Sequence, residues 1–168
     1  MQILSRLSRK VKTFFALDNG KRVRFVQAFI YCGIYRAFIL LVPFNKLKKR
    51  MGNHKGDSPK EIDINSYRIA KEVQWAVINA ARHTPWESKC LVQALTAQRL
   101  MKKRKIATTL YLGVKKSIEG EMIAHAWIRC GSYYITGGSN KEGYAVVAKF
   151  ATQGKNGFGQ DQNIRWTM

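Results

Sequence analysis

Negative charge is scarce in this chain. Ten Asp and Glu stand against 30 Lys and Arg in 168 residues, a formal net charge of +20. Such a field repels cationic partners and draws anionic ones. Cysteine is scarce as well: Cys32, Cys90 and Cys130 are odd in number, and they lack the paired Cys-x-x-Cys or Cys/His clustering of a zinc site. A disulfide framework and a structural metal are therefore not expected, no cofactor is expected, and a reducing cytosol suits the chain. Of only three prolines, Pro43 closes an apolar helix, Pro59 sits in a turn-rich stretch and Pro85 stands where a helix can begin. The first residues, Met1-Gln2-Ile3-Leu4-Ser5-Arg6, lack the sustained apolar run of a secretory signal, so a cytoplasmic protein is expected. The most apolar stretch, Phe25 to Asn45, is divided by Arg36 and carries Pro43 near its end. A spanning helix needs about 20 largely apolar residues. The interruption disfavours a span and leaves peripheral contact with a bilayer surface open.

What is present fits one globular core with an appendage, since apolar residues make up 46 % of the chain and charged residues 24 %. Residues 1–55 hold thirteen basic side chains and one acid, Asp18. Residues 1–58 therefore read as a strongly basic helical region. Its helices are expected over 1–17, amphipathic, and over about 21–41. Gly52 to Pro59 is dense in turn formers and reads as a linker. Residues 59–151 form the expected core. Ile69, Val73, Val77 and Ala80 lie on one face of a helix from Ile64 to Arg82, and a further helix starts close to Cys90. The period then changes to that of strands at 108–114, 122–130, 133–136 and 144–150. A helical part followed by an antiparallel sheet is an α+β layout. Residues 152–168 form a polar tail.

Two short stretches carry chemistry: Thr84-Pro85-Trp86-Glu87-Ser88-Lys89-Cys90 at the start of a helix, and Ala124-His125-Ala126-Trp127 inside a strand. A helix N-terminus and a neighbouring imidazole both favour the thiolate that makes cysteine a nucleophile. Two caps are open: Thr84 with Glu87 in a capping box, or Ser88, which puts Cys90 at the second helical residue. Cys90 and His125 lie 35 residues apart, so they meet only if the helix N-terminus overlies the His strand. Cys32 and Cys130 lack this context and read as core residues. Trp86 and Trp127, beside the two reactive residues, are candidate walls of a substrate cleft. The aromatics of the basic region sit in an apolar helix rather than interleaved with Arg and Lys on a sheet, so nucleic acid is not the expected partner.

The run Trp86-Glu87-Ser88-Lys89-Cys90-Leu91-Val92-Gln93-Ala94-Leu95, followed by Thr109 to Val114, Ala124-His125-Ala126-Trp127 and Thr136-Gly137-Gly138, resembles the leader peptidases of lasso-peptide biosynthesis. These are the stand-alone protease part of the split B protein, in the transglutaminase-like, papain-related superfamily. Phe25-Val26-Gln27-Ala28-Phe29 and Leu41-Val42-Pro43-Phe44 are similar to that family's helical N-terminal region. The resemblance implies a cysteine peptidase with Cys90 as nucleophile and His125 as general base and acid. The substrate would be a precursor peptide, with a small leader-recognition protein and a macrolactam synthetase as partners. The family's third residue, commonly Asp about a dozen positions after the His, falls here in Ile135-Thr136-Gly137-Gly138. With no carboxylate there, Asn140 is the nearest side chain able to orient the imidazole, and a backbone carbonyl or a distant Asp would also serve. A non-catalytic adaptor for an acidic partner or a membrane, and an acyltransferase, are the alternatives.

Overall fold

The computed structural model describes residues 14–154, so nearly all of the helix expected over 1–17, and all but the start of the polar tail, lie outside it. Helix α1 (Asn19–Leu41) leads through a short α2 (Phe44–Lys48) to a two-residue strand β1 (Asn53–His54). Then come α3 (Ile64–His83), α4 (Cys90–Lys103), β2 (Thr108–Lys116), β3 (Met122–Cys130), β4 (Tyr133–Thr136), a 3-10 turn (Gly138–Asn140) and β5 (Ala145–Thr152). The five strands form one antiparallel sheet in the order β1-β5-β2-β3-β4. The expected α+β class, helices first and an antiparallel sheet after, is the architecture observed.

Local chemistry sets the helix limits. Asp18 accepts the Lys21 amide at 2.9 Å and opens α1. Pro43 then forces Val42 into an extended conformation and closes it. Asp63 opens α3, accepting from both the amide and the hydroxyl of Ser66 at 2.9 and 2.6 Å. Lys105, with φ of 57°, turns the chain sharply between α4 and β2. That reversal sends β2 back beneath the helix it follows.

Helix α4 lies at the centre. Val92, Ala94, Leu95, Thr96, Ala97, Gln98, Leu100 and Met101 are all buried. Val73, Ala76, Val77 and Ala80 of α3 and Ala28 of α1 cover one side of it, and Leu110, Ile128, Cys130 and Phe150 of the sheet lie on the other. The many alanines allow helices and sheet to approach closely, and a helix that buries residues on most of its circumference is stable only when enclosed in this way.

The segment expected to be a linker is part of the sheet. Asn53 and His54 pair with Ala151 and Phe150, extending the sheet at the β5 edge. Leu47 and Met51 join the same core as α3 and α4. The physical reason lies in Asp57. The guanidinium of Arg129, whose side chain is only 7 % exposed, bonds to its carboxylate and also donates to the Ser58 and Gly131 carbonyls at 2.8 and 2.6 Å. Lys149 reaches the other oxygen of Asp57 at 3.1 Å. Turn formers make the segment irregular, while the needs of a buried cation hold it against the sheet.

Partial burial alone would raise the Asp57 pKa, but hydrogen bonds from Lys149 and Thr109 and the charge of Arg129 together hold it below the usual carboxylate range. A carboxylate depressed in this way stabilises the fold above its unfolded pKa, and that contribution disappears as pH falls through the lower native value. Asp57→Ala is expected to lower stability at neutral pH by about 1 kcal/mol, because Asp57 is 44 % exposed, solvent screens its side of the pair, and the carbonyls still serve Arg129. Urea unfolding at several pH values checks this. The gap between the two proteins should be widest above about pH 5 and close as Asp57 is protonated.

Candidate active site

Cys90 is the first residue of α4, one position later than a Ser88 cap allows for and five later than a Thr84 cap. Its N-cap is Lys89, which supplies no side-chain hydrogen bond. The first helical bond runs from the Gln93 amide to the Lys89 carbonyl at 3.1 Å. The amides of Cys90, Leu91 and Val92 are thus outside the helix's internal bonding, and the positive end of its dipole lies at the thiol. Thr84 instead closes α3, and its hydroxyl meets that of Ser88 at 2.9 Å. Gln93 braces the turn by donating to the Ser88 carbonyl at 2.7 Å.

Charges beside the thiol are already matched. Lys89 pairs with Glu87 at 3.0 Å, and Arg36 of α1 reaches the other oxygen of Glu87 at 3.1 Å. These contacts, led by the Lys89 hydrogen bond, hold Glu87 below its ordinary pKa. Lys89 therefore serves Glu87 rather than the thiol. Trp86 packs on α1, its ring 5.3 Å from Phe29 in an edge contact. A Cβ added at Gly33 would come within 2.9 Å of the same indole. The structure places Trp86 at a helix–helix seam, where it sets the position of the loop before Cys90. The other two thiols are of a different kind: burial raises the pKa of both, that of Cys130 to about 11.

His125 lies on β3 opposite Gly113 of β2. Ala126, Ile128 and Cys130 enter the helix-covered core, so the intervening His125, Trp127 and Arg129 point to the other face of the pleat. The imidazole sits among aromatic rings, 5.7 Å from Trp127 in a stacked arrangement and 5.1 Å from Tyr144. Trp127 is only 4 % exposed and stacks on Tyr111 as well, so it is a support for the ring rather than an open cleft wall. Gly113 leaves the room this needs, since a Cβ there would lie 2.7 Å from the indole.

The imidazole Nε2 lies 2.9 Å from the carbonyl oxygen of Gly137. A carbonyl can only accept, so Nε2 carries the proton and the lone pair of the neutral ring is on Nδ1. Gly137 has φ of 72°, and a Cβ at this residue would lie 2.4 Å from the Ala126 carbonyl oxygen. Only glycine turns the chain here without strain. Asn140 is exposed at the end of the following 3-10 turn. A backbone carbonyl was among the alternatives open from sequence, but not which one, because every residue carries one; the visible signal was Gly137-Gly138 at the spacing where a carboxylate was sought.

Helix α4 is about 20 Å long, and the reversal at Lys105 returns β2 along it, so Cys90 and the Gly113–His125 pair occupy the same end of the helix–sheet sandwich. Strand β4 pairs with β3 only from Ile128 to Cys130, which leaves β3 an open edge beside His125. No hydrogen bond joins the Cys90 thiol to the imidazole among the described residues. The arrangement brings together an unpartnered helix N-terminus carrying a thiol and, around an open strand edge, an imidazole of fixed tautomer. No group of three or more His, Cys, Asp or Glu suited to a metal occurs among the described residues.

No curated protein and no solved structure matches the chain. The family comparison does: residues 38–149, two thirds of the chain, match the transglutaminase-like superfamily, and the matched span contains α3, α4, the Cys90 turn and the His125 strand. A superfamily in which cysteine-based catalysis is typical accounts for a thiol on a helix N-terminus ahead of an antiparallel sheet bearing a histidine, and this chain belongs to it.

Proposed function

We propose that this protein is a cysteine peptidase that removes the leader from a lasso-peptide precursor. The observation that carries the reading is the free N-terminus of α4 at Cys90, held at the same end of the fold as an imidazole whose Nδ1 is left as a base by the Gly137 carbonyl. The sequence around Cys90, His125 and Gly137-Gly138 supports the narrower substrate assignment. A small leader-recognition protein would deliver the precursor and a macrolactam synthetase would use the released core.

In this mechanism Nδ1 of His125 takes the thiol proton as Sγ attacks the scissile carbonyl. The oxyanion forms beside the amides at the start of α4. Collapse breaks the peptide bond, and the imidazolium gives its proton to the departing amine of the core peptide. Water, activated by the same ring, then hydrolyses the thioester and frees the leader acid. The thiol and the ring must close around the β3 edge; catalytic hydrogen bonds commonly tighten only when substrate is bound. The missing thiol–imidazole bond also gives a non-catalytic adaptor its support. Acyl transfer to an amine is the other outcome open to the superfamily, and it would yield a new amide instead of the leader acid.

Cys90→Ala is expected to abolish cleavage of a precursor peptide in the presence of its recognition partner while leaving peptide binding within about twofold. His125→Ala should lower kcat by a factor on the order of 100 or more, the usual contribution of a general base. Iodoacetamide labelling of Cys90 at neutral pH should slow in the same variant. Equal, slow labelling in parent and variant, together with no cleavage, would favour the adaptor.

The Gly137 carbonyl and the Asn140 side chain make opposite predictions. If the carbonyl orients the ring, Asn140→Ala retains kcat within about threefold, whereas Gly137→Ala lowers it at least tenfold by forcing φ away from 72°. Steady-state kinetics on both variants, with circular dichroism to confirm folding, reads the difference.

A further inference from the structure

Helix α1 has one face in the core, through Ala28 and Cys32, and another that no described residue covers. Val23, Val26, Ile30, Ile34, Ala37 and Leu41 follow the helical repeat for about five turns, and all are exposed, Ile30 by 53 % and Leu41 by 81 %. No polar residue interrupts this line. By length and apolarity the helix could cross a membrane, with mean hydropathy of 1.4 over its richest window and only 11 % of that window buried. Its attachments argue for another placement. Arg24 pairs with Glu72 of α3 at 2.7 Å and Arg36 with Glu87 at 3.1 Å, so the helix is fastened along its length to the rest of the domain. A helix held on one side and apolar on the other suits the surface of a bilayer.

Beside the stripe is a pocket of about 580 Å³ between α1, α2 and α4. Tyr31, Tyr35 and Phe38 form its aromatic wall, and Arg50, Arg99 and Lys102 line it with positive charge. Ile34 belongs to both stripe and pocket. Arg50 lies 5.0 Å from the centre of the Phe38 ring, and Lys103 lies 5.0 Å from that of Tyr31. No ion pair among the described residues uses Lys49, Arg50, Arg99, Lys102 or Lys103. The sequence places no acid between Asp18 and Asp57, against nine basic residues. Like charges gathered without counter-charges next to an exposed apolar ridge fit one chemistry that satisfies both: a phosphate-bearing headgroup continuous with an apolar layer.

We propose that the α1 stripe and the adjoining cationic pocket seat this protein on an anionic phospholipid surface, with a headgroup phosphate in the pocket. The proposal stands independently of the peptidase reading. It places the C-terminal end of α4, with Arg99 and Lys102, toward the lipid, and Cys90 at the opposite end of that helix, about 20 Å away along its axis.

Co-sedimentation of the full chain with vesicles of phosphatidylcholine alone, and of phosphatidylcholine with phosphatidylglycerol, tests this. The protein should sediment with the anionic vesicles at least tenfold more strongly than with the neutral ones. Ile30→Asp with Ile34→Asp, and separately Arg99→Glu with Lys102→Glu, should each reduce that binding at least tenfold. All four positions are surface-facing, and circular dichroism checks that the fold is kept. No binding to anionic vesicles, equal binding to both kinds, or undiminished binding of the Ile30→Asp/Ile34→Asp variant would overturn the proposal; the last would leave only general charge attraction. A lipid-free dimer dispersed by that same variant would also overturn it, by assigning the stripe to a second copy of the chain.

Discussion

Enclosure of α4 is the constraint on which the rest depends. Between Val92 and Met101 this helix buries every residue but Gln93 and Arg99, with α1 and α3 on one side and the sheet on the other. It cannot slide or rotate without opening the core. The small residues Ala94 and Ala97 set how near the layers approach, and two polar contacts fix the register: Gln98 donates to the Met51 carbonyl at 2.7 Å, and the Thr96 hydroxyl lies 3.6 Å from the Cys32 sulfur. The position of Cys90 follows from that enclosure. A thiol at the first residue of such a helix inherits the rigidity of the whole core, while its amides remain outside the internal bonding.

The elements were legible in the sequence because their periods are clean. The apolar spacing of α3 and the alternation of β2 and β3 gave their limits to within a residue or two. The start of α4 was not legible. Thr84 and Ser88 are both good caps by type, but they hydrogen-bond each other, and the helix begins after a lysine that caps nothing. The turn-rich segment before α3 misled for a related reason: composition reports which conformations a stretch tolerates, whereas its place was decided by Arg129, 72 residues away from Asp57. The Cys and His were legible from their surroundings. Their relative placement was not, because one residue of strand phase decides which face a side chain occupies.

Charge is segregated in the fold. Arg24, Arg36, Lys89, Arg129 and Lys149 meet acids and tie elements together. Lys49, Arg50, Arg99, Lys102 and Lys103 gather around one pocket with no acid in partnership. The high net charge is therefore not a uniform coat. Part of it gathers where α1, α2 and the end of α4 converge, whereas at the other end of α4 Lys89 and Arg36 share the carboxylate of Glu87.

The partner of the His125 ring is a main-chain atom, and that changes how the site can be lost or altered. An orienting carboxylate is a side chain, deleted by one substitution and neutralised by one proton. The Gly137 oxygen does not titrate in the range where proteins fold, and no exchange of side-chain chemistry can remove it. Its weakness is geometric instead. The oxygen stays in place only while residue 137 keeps a backbone shape that any added Cβ opposes, so inheritance at this position acts on conformation and leaves the acceptor itself beyond reach.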